Sequence, residues 1–112
     1  MPQLDPTCLH LRASDLAQLR QLLARYVPQA QVWAYGSRIT GQSHDTSDLD
    51  VVLRNPGNLK LPLENFWDLK EAVQNSTIAI SVDLHDWAYL PEAFHRNIEQ
   101  AYVQLQAGAG EE

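Results

Sequence analysis

Between Ser14 and Tyr26 the apolar residues Leu16, Leu19, Leu22, Leu23 and Tyr26 recur at helical spacing, which predicts an amphipathic helix with one buried face. Ser14 is placed to cap its start, Asp15 sits in the first turn where the helix dipole favours an acid, and Pro28 closes it. The pattern then changes period. Gln31–Tyr35 reads as a short strand ending at Gly36. Asp48–Arg54 reads as a second strand, entered from a polar loop over Gly41–Ser47 and stopped by the turn signal Asn55-Pro56-Gly57. From Pro62 to Gln74, Leu63, Phe66, Trp67, Leu69 and Val73 return to helical spacing, with Pro62 near the first turn. β-branched content and alternation mark Thr77–His85 as a third strand. Pro91–Gln106, with Phe94, Ile98, Ala101, Tyr102 and Leu105, reads as a closing helix. The order helix, strand, strand, helix, strand, helix implies an α/β (α+β) domain in which helices cover a small sheet. That domain is assigned to residues 1–106. The small and acidic stretch 107–112 is expected to fray, because it buries too little surface to offset its ordering entropy.

At 112 residues, 45% of them hydrophobic, the chain can form one core without disulfides or a structural metal. Cys8 is its single cysteine, so neither an internal disulfide nor a thiolate zinc site is available, and it reads as an inert small residue. No apolar run approaches the roughly 18 residues of a membrane span. Met1–Asp5 lacks the basic-then-apolar character of a secretory signal, so a cytoplasmic location is the expectation. Eight Lys and Arg against fourteen Asp and Glu leave a formal charge of −6. This balance argues against tight, sequence-independent nucleic-acid binding, which needs basic side chains to neutralise phosphates. It leaves a nucleotide substrate open, since a bound metal ion reverses the local charge.

Candidate chemistry lies where acids interrupt strands. Asp48 and Asp50 are two residues apart, so both project from one face of the second strand while Leu49, Val51 and Leu53 point to the other. Asp83 sits likewise between Val82 and Leu84. If the second and third strands are neighbours, three carboxylates converge. Like charges so placed repel unless a cation lies between them, and at least one should have a raised pKa without it. Carboxylate oxygens with open water positions suit Mg²⁺. About ten residues earlier, Tyr35-Gly36-Ser37-Arg38-Ile39-Thr40-Gly41 has the makings of a phosphate cradle. Gly36 lets backbone approach a ligand, Ser37 offers a hydroxyl and an N–H, and Arg38 can add a planar cationic fork.

Gly36-Ser37, then ten residues, then Asp48-Leu49-Asp50, with a later strand Asp83, resembles the nucleotidyltransferase signature of the DNA polymerase β superfamily. The local text is similar to its small prokaryotic branch, the minimal nucleotidyltransferases, and the likeness extends over nearly the whole chain. The resemblance implies a small mixed β-sheet covered by helices, like the polymerase β palm. It implies transfer of a nucleoside monophosphate, AMP from ATP, to a hydroxyl with release of pyrophosphate. Asp48, Asp50 and Asp83 would then be catalytic and hold two Mg²⁺ ions, while Gly36, Ser37 and Arg38 would bind the nucleotide phosphates. It further implies a helical toxin partner of the HEPN type, modified on a tyrosine, with this chain as antitoxin. A homo-oligomer is also open.

A second reading has the same fold acting as a non-catalytic module that neutralises its partner by occlusion. A third, transfer to a small molecule such as an aminoglycoside, needs an acceptor pocket from a second domain that the sequence does not contain. His10, His44, His85 and His95 share no short spacing. His85 falls on the predicted face of Asp83 and could touch the substrate, but is read first as a surface or packing histidine; Asp86 is read as a loop or strand-end acid. Trp33, Trp67 and Trp87 are read as packing residues, in the core or against a partner.

Overall fold

The structure, a computed structural model, describes residues 4, 9, 11–36, 39 and 48–108. Its elements are α1 (Ala13–Tyr26), β1 (Gln31–Tyr35), β2 (Leu49–Arg54), α2 (Phe66–Gln74), β3 (Val82–Asp86), a 3-10 turn (Trp87–Tyr89), α3 (Glu92–Gln100) and β4 (Val103–Gln106). The strands form one sheet in the order β3-β2-β1-β4. β1 pairs antiparallel with β2 and β4, whereas β2 and β3 run parallel. Parallel neighbours need a crossover, and α2 supplies it. The α/β class, the small mixed sheet and its helical cover are thus as the sequence implied.

Alternation splits the sheet into two faces. Leu49, Val51 and Leu53 of β2 join Val32 and Ala34 of β1, Leu84 of β3 and Val103 and Leu105 of β4 on one face, which α1 covers with Leu19 and Leu23 and α2 with Phe66, Leu69 and Val73. The opposite face carries a smaller cluster of Trp33, Val52, Trp87 and Ile98, closed by α3. There the Arg54 guanidinium lies 4.0 Å from the Trp33 ring and 4.6 Å from that of Trp87. Tyr102 stacks on Trp33 at 3.8 Å between centroids. Trp33 and Trp87 are core residues, as expected, whereas Trp67 on α2 is 70% exposed.

Several boundaries differ from the sequence reading. The closing helix stops at Gln100, and Val103–Gln106 instead forms the edge strand β4. Buried Val103 and Leu105 alternate with half-buried Gln104 and Gln106, and the free edge of β1 gives that alternation a ladder to join. β3 begins at Val82, not Thr77, because β2 itself begins at Leu49, whose N–H bonds to the Ser81 carbonyl. α2 begins at Phe66, since Leu63 N–H is held by the Asp86 carboxylate at 2.9 Å and Asn65 reaches the Tyr26 carbonyl. Asp86 ends β3, as the sequence reading has it, and is also a buried anchor, bonding Leu63 and Ala88. At α1 the N-cap is Arg12 rather than Ser14, and no side chain caps it. Asp15 is buried in the first turn and accepts from Ala79 N–H and Arg12 Nε, both at 3.3 Å. This pins the segment leading into β3 onto α1.

The two-faced core predicts a contrast between leucines. Leu53 is fully buried between β2 and its covering helices, whereas Leu61 is 54% exposed. Leu53→Ala should cost about 2–5 kcal/mol and Leu61→Ala within about 0.5 kcal/mol, read from urea unfolding midpoints. Equal costs would contradict this packing.

Candidate active site

Parallel register places Asp50 directly beside Asp83, with Val52 beside His85 one step further on. On the other flank, Tyr35 at the end of β1 pairs with Asp50. Residues laterally adjacent in a sheet share a face, so Tyr35, Asp50, Asp83 and His85 all open on the face away from α1 and α2. The sequence-predicted acids Asp50 and Asp83 are thus brought together. Asp48 lies one residue before β2 and is exposed. The strand expected to start at Asp48 starts at Leu49 instead, leaving only Asp50 within the ladder. Gly36 is at the site, whereas Ser37 and Arg38 lie outside the described residues. Their flank is described: Ile39 N–H bonds the Gly36 carbonyl at 3.1 Å.

Gly36 has φ +89°, a left-handed conformation that side chains disfavour. A Cβ there would sit 2.5 Å from Asp50 Oδ2. The glycine is therefore required twice, by its own dihedral and by the carboxylate against it. It keeps open the space beside the Asp50 oxygen.

Burial and like charge together set the electrostatics, burial first. Burial raises the Asp50 pKa, the Asp83 carboxylate adds to the rise, His85 opposes it, and Asp48 adds a further push. A raised carboxyl is what the sequence reading expects of crowded acids without a cation. Burial, followed by Asp50 and Asp83, likewise pushes the Tyr35 phenol well above its ordinary range, so it stays protonated beside the acids.

His85, taken from the sequence as a surface or packing residue, joins this site. Its Nε2 lies 3.1 Å from Asp83 Oδ2, with the imidazole about one-third and the carboxylate about half exposed. One donor atom each from Asp50, Asp83 and His85 lie within 4.8 Å of one another. Spacing of two on a strand is the signal that points to it, since that spacing puts it on the face of Asp83. Two carboxylates and an imidazole, backed by a glycine that leaves room, form a donor set fit for a divalent cation. Among the described residues, no helix is long and apolar enough to cross a membrane.

Comparison with known proteins agrees with this arrangement. The family model described as polymerase beta, nucleotidyltransferase, matches residues 17–106. A relative from Haemophilus influenzae, "Probable protein adenylyltransferase MntA", is 36% identical over 98 residues, covering 88% of this chain and 84% of its own. A crystal structure of a toxin–antitoxin with AMP-PNP shares the fold with a TM-score of 0.66 at 21% identity, covering 86% of this chain and 75% of that one.

Two stability measurements test the geometry. Gly36→Ala should destabilise by more than about 1 kcal/mol. Asp50→Ala leaves only its Cβ, 3.6 Å from the added methyl, so the double variant should recover the clash but not the dihedral cost. Strict additivity would show that the two residues do not touch. The second measurement uses pH. A folded-state pKa above the unfolded one means that the Asp50 contribution is complete below the ordinary Asp range and is lost as pH rises through the raised value. Asp50→Asn cannot ionise, so its stability relative to wild type, without metal, should increase between pH 4 and pH 7. A difference that is flat or shrinks over that range would contradict the crowding of Asp50.

Proposed function

The chain belongs to the polymerase β nucleotidyltransferases, among their minimal nucleotidyltransferases, and from that premise we propose that it transfers AMP from ATP to a tyrosine hydroxyl of a HEPN-type toxin, acting as its antitoxin in the cytoplasm. The observation that carries the reading is the pairing of Asp50 with Asp83 in register, beside a glycine turn that opens onto Asp50. The relative's name as a probable protein adenylyltransferase supports AMP and a protein acceptor. The neighbour's fold supports the same architecture.

In the reaction, the acceptor oxygen forms a bond to the α-phosphorus of ATP, the bond to the pyrophosphate oxygen breaks, and the acceptor's proton leaves. Mg²⁺, two ions by the family resemblance, would neutralise the triphosphate and hold attacking and leaving oxygens opposite each other. Asp48, Asp50 and Asp83 would hold those ions. Asp83, the more exposed member of the in-register pair, would take the acceptor's proton. Gly36 presents backbone to the phosphates, Ser37 adds a hydroxyl and N–H, and Arg38 adds charge to the leaving pyrophosphate. Tyr35, held protonated, can donate a hydrogen bond without adding a third negative charge to the pair.

Labelled ATP, Mg²⁺ and purified partner toxin test the proposal when label on the partner and residual toxin activity are followed together. Ser37→Ala removes one hydrogen bond to a charged oxygen, about 1.5–3 kcal/mol, and should slow transfer roughly 10- to 150-fold. Asp48→Ala with Asp50→Ala should lose far more while still binding the partner. Neutralisation by that double variant as complete as by wild type, with no transfer, would instead establish the occluding module.

A further inference from the structure

We infer that His85 is a nitrogen ligand of the metal site, so that the cation at Asp50 and Asp83 is held by two carboxylates and an imidazole and the site favours Mn²⁺ and Co²⁺ over Mg²⁺. The inference rests on the metal-dependent reading above and refines which ion the site selects.

Three observations carry it. First, the register sets His85 laterally beside the apolar Val52, and its ring turns back to Asp83 at 3.1 Å. Second, the spacing suits coordination. Around a six-coordinate ion with bonds of about 2.1 Å, adjacent ligand atoms lie about 3 Å apart and opposite ones about 4.2 Å apart. The donor atoms of Asp50, Asp83 and His85 fall within 4.8 Å of one another, so a small inward movement brings all three onto one ion. Third, the described donor atoms that already lie together are those of Asp50, Asp83 and this imidazole, while Asp48, which would join them on the ions, stands exposed ahead of the strand. His95 makes the contrast. Its ring stacks on Trp87 at 3.9 Å and its Nε2 is taken up by the Trp87 carbonyl at 2.8 Å, so packing fully employs it. The His85 ring is one-third exposed beside two acids.

The chemistry of selection follows from the donor. Mg²⁺ prefers oxygen ligands and gives up its water reluctantly, so exchanging a water for imidazole gains it little. First-row transition ions bind imidazole well, increasingly so from Mn²⁺ to Co²⁺. Every site prefers Co²⁺ to Mg²⁺ to some degree, so the telling quantity is how that preference changes when the nitrogen is removed.

The test uses the full metal-free chain and metal ions alone, without nucleotide. Pulsed electron paramagnetic resonance on Mn²⁺ bound to wild type should show coupling to one directly bound nitrogen. Labelling histidine with ¹⁵N should convert that coupling from ¹⁴N to ¹⁵N, and His85→Ala should abolish it. In competition titrations His85→Ala should lower the Co²⁺/Mg²⁺ affinity ratio about tenfold while Mg²⁺ affinity changes much less. Bound Mn²⁺ without nitrogen coupling in wild type overturns the proposal, and that measurement needs no variant to fold. So does a parallel fall in both affinities, which would make His85 a positioning residue for Asp83. Failure of the underlying reading looks different: Asp50→Asn with Asp83→Asn would then bind Mn²⁺ as tightly as wild type.

Discussion

Parallel pairing of β2 with β3 sets the Asp50 carboxylate beside that of Asp83, and the same pairing dictates much of the surrounding chain. Parallel neighbours cannot be joined by a tight turn, so the chain must cross over, and α2 is that crossover. Once there, α2 packs with α1 over one face of the sheet, where Leu19, Leu23, Leu53 and Leu69 are almost wholly removed from water. The face left open is then the one bearing the acids. Core and site are two sides of one register: a slip of one residue would bury Asp50 and expose Leu49 and Val51.

Half-burying Asp50 and setting it beside Asp83 both work against folding, and both raise its pKa, burial the more. The apolar face opposes that cost. So do polar anchors at the ends of the pair, where Asp86 holds the segment entering α2 and Asp15 holds the segment entering β3. Both acids are buried and each bonds a backbone N–H. The chain thus uses its acids in two ways. Those bonded to backbone N–H groups fasten loops, whereas Asp50 and Asp83 face one another, with His85 Nε2 3.1 Å from Asp83 Oδ2. A site of the second kind trades stability for chemistry, as functional sites commonly do.

Beyond the acids, the open face is stiffened by aromatic packing. Arg54 lies against Trp33 and Trp87, Trp33 meets Trp87 edge to face at 5.7 Å, and Tyr102 stacks on Trp33. This cluster ties α3 and β4 to β1 and β2, so the strand carrying Asp50 is gripped from both sides of the sheet. Under the proposed function a rigid support matters here, because transfer would depend on holding these carboxylates to within a fraction of an ångström.

The sequence by itself determined the family and the order of the principal elements, and it set Asp48, Asp50 and Asp83 on strand faces that converge only if the second and third strands are neighbours, because strand alternation and a fixed motif spacing are local properties. It also determined that Gly36 begins the motif turn. Only the tertiary structure decided that β2 and β3 run parallel and in register, that Val103–Gln106 completes the sheet rather than a helix, and that His85 stands with the acids. The alternation of residues 103–106 is too short to distinguish from helical spacing until a strand edge is present to receive it. The distance from His85 to Asp83, and the burial that turns Asp86 into an anchor, exist only once the strands are side by side. Spacing along a chain says which face a side chain takes, but what it meets on that face is set by residues far away in sequence.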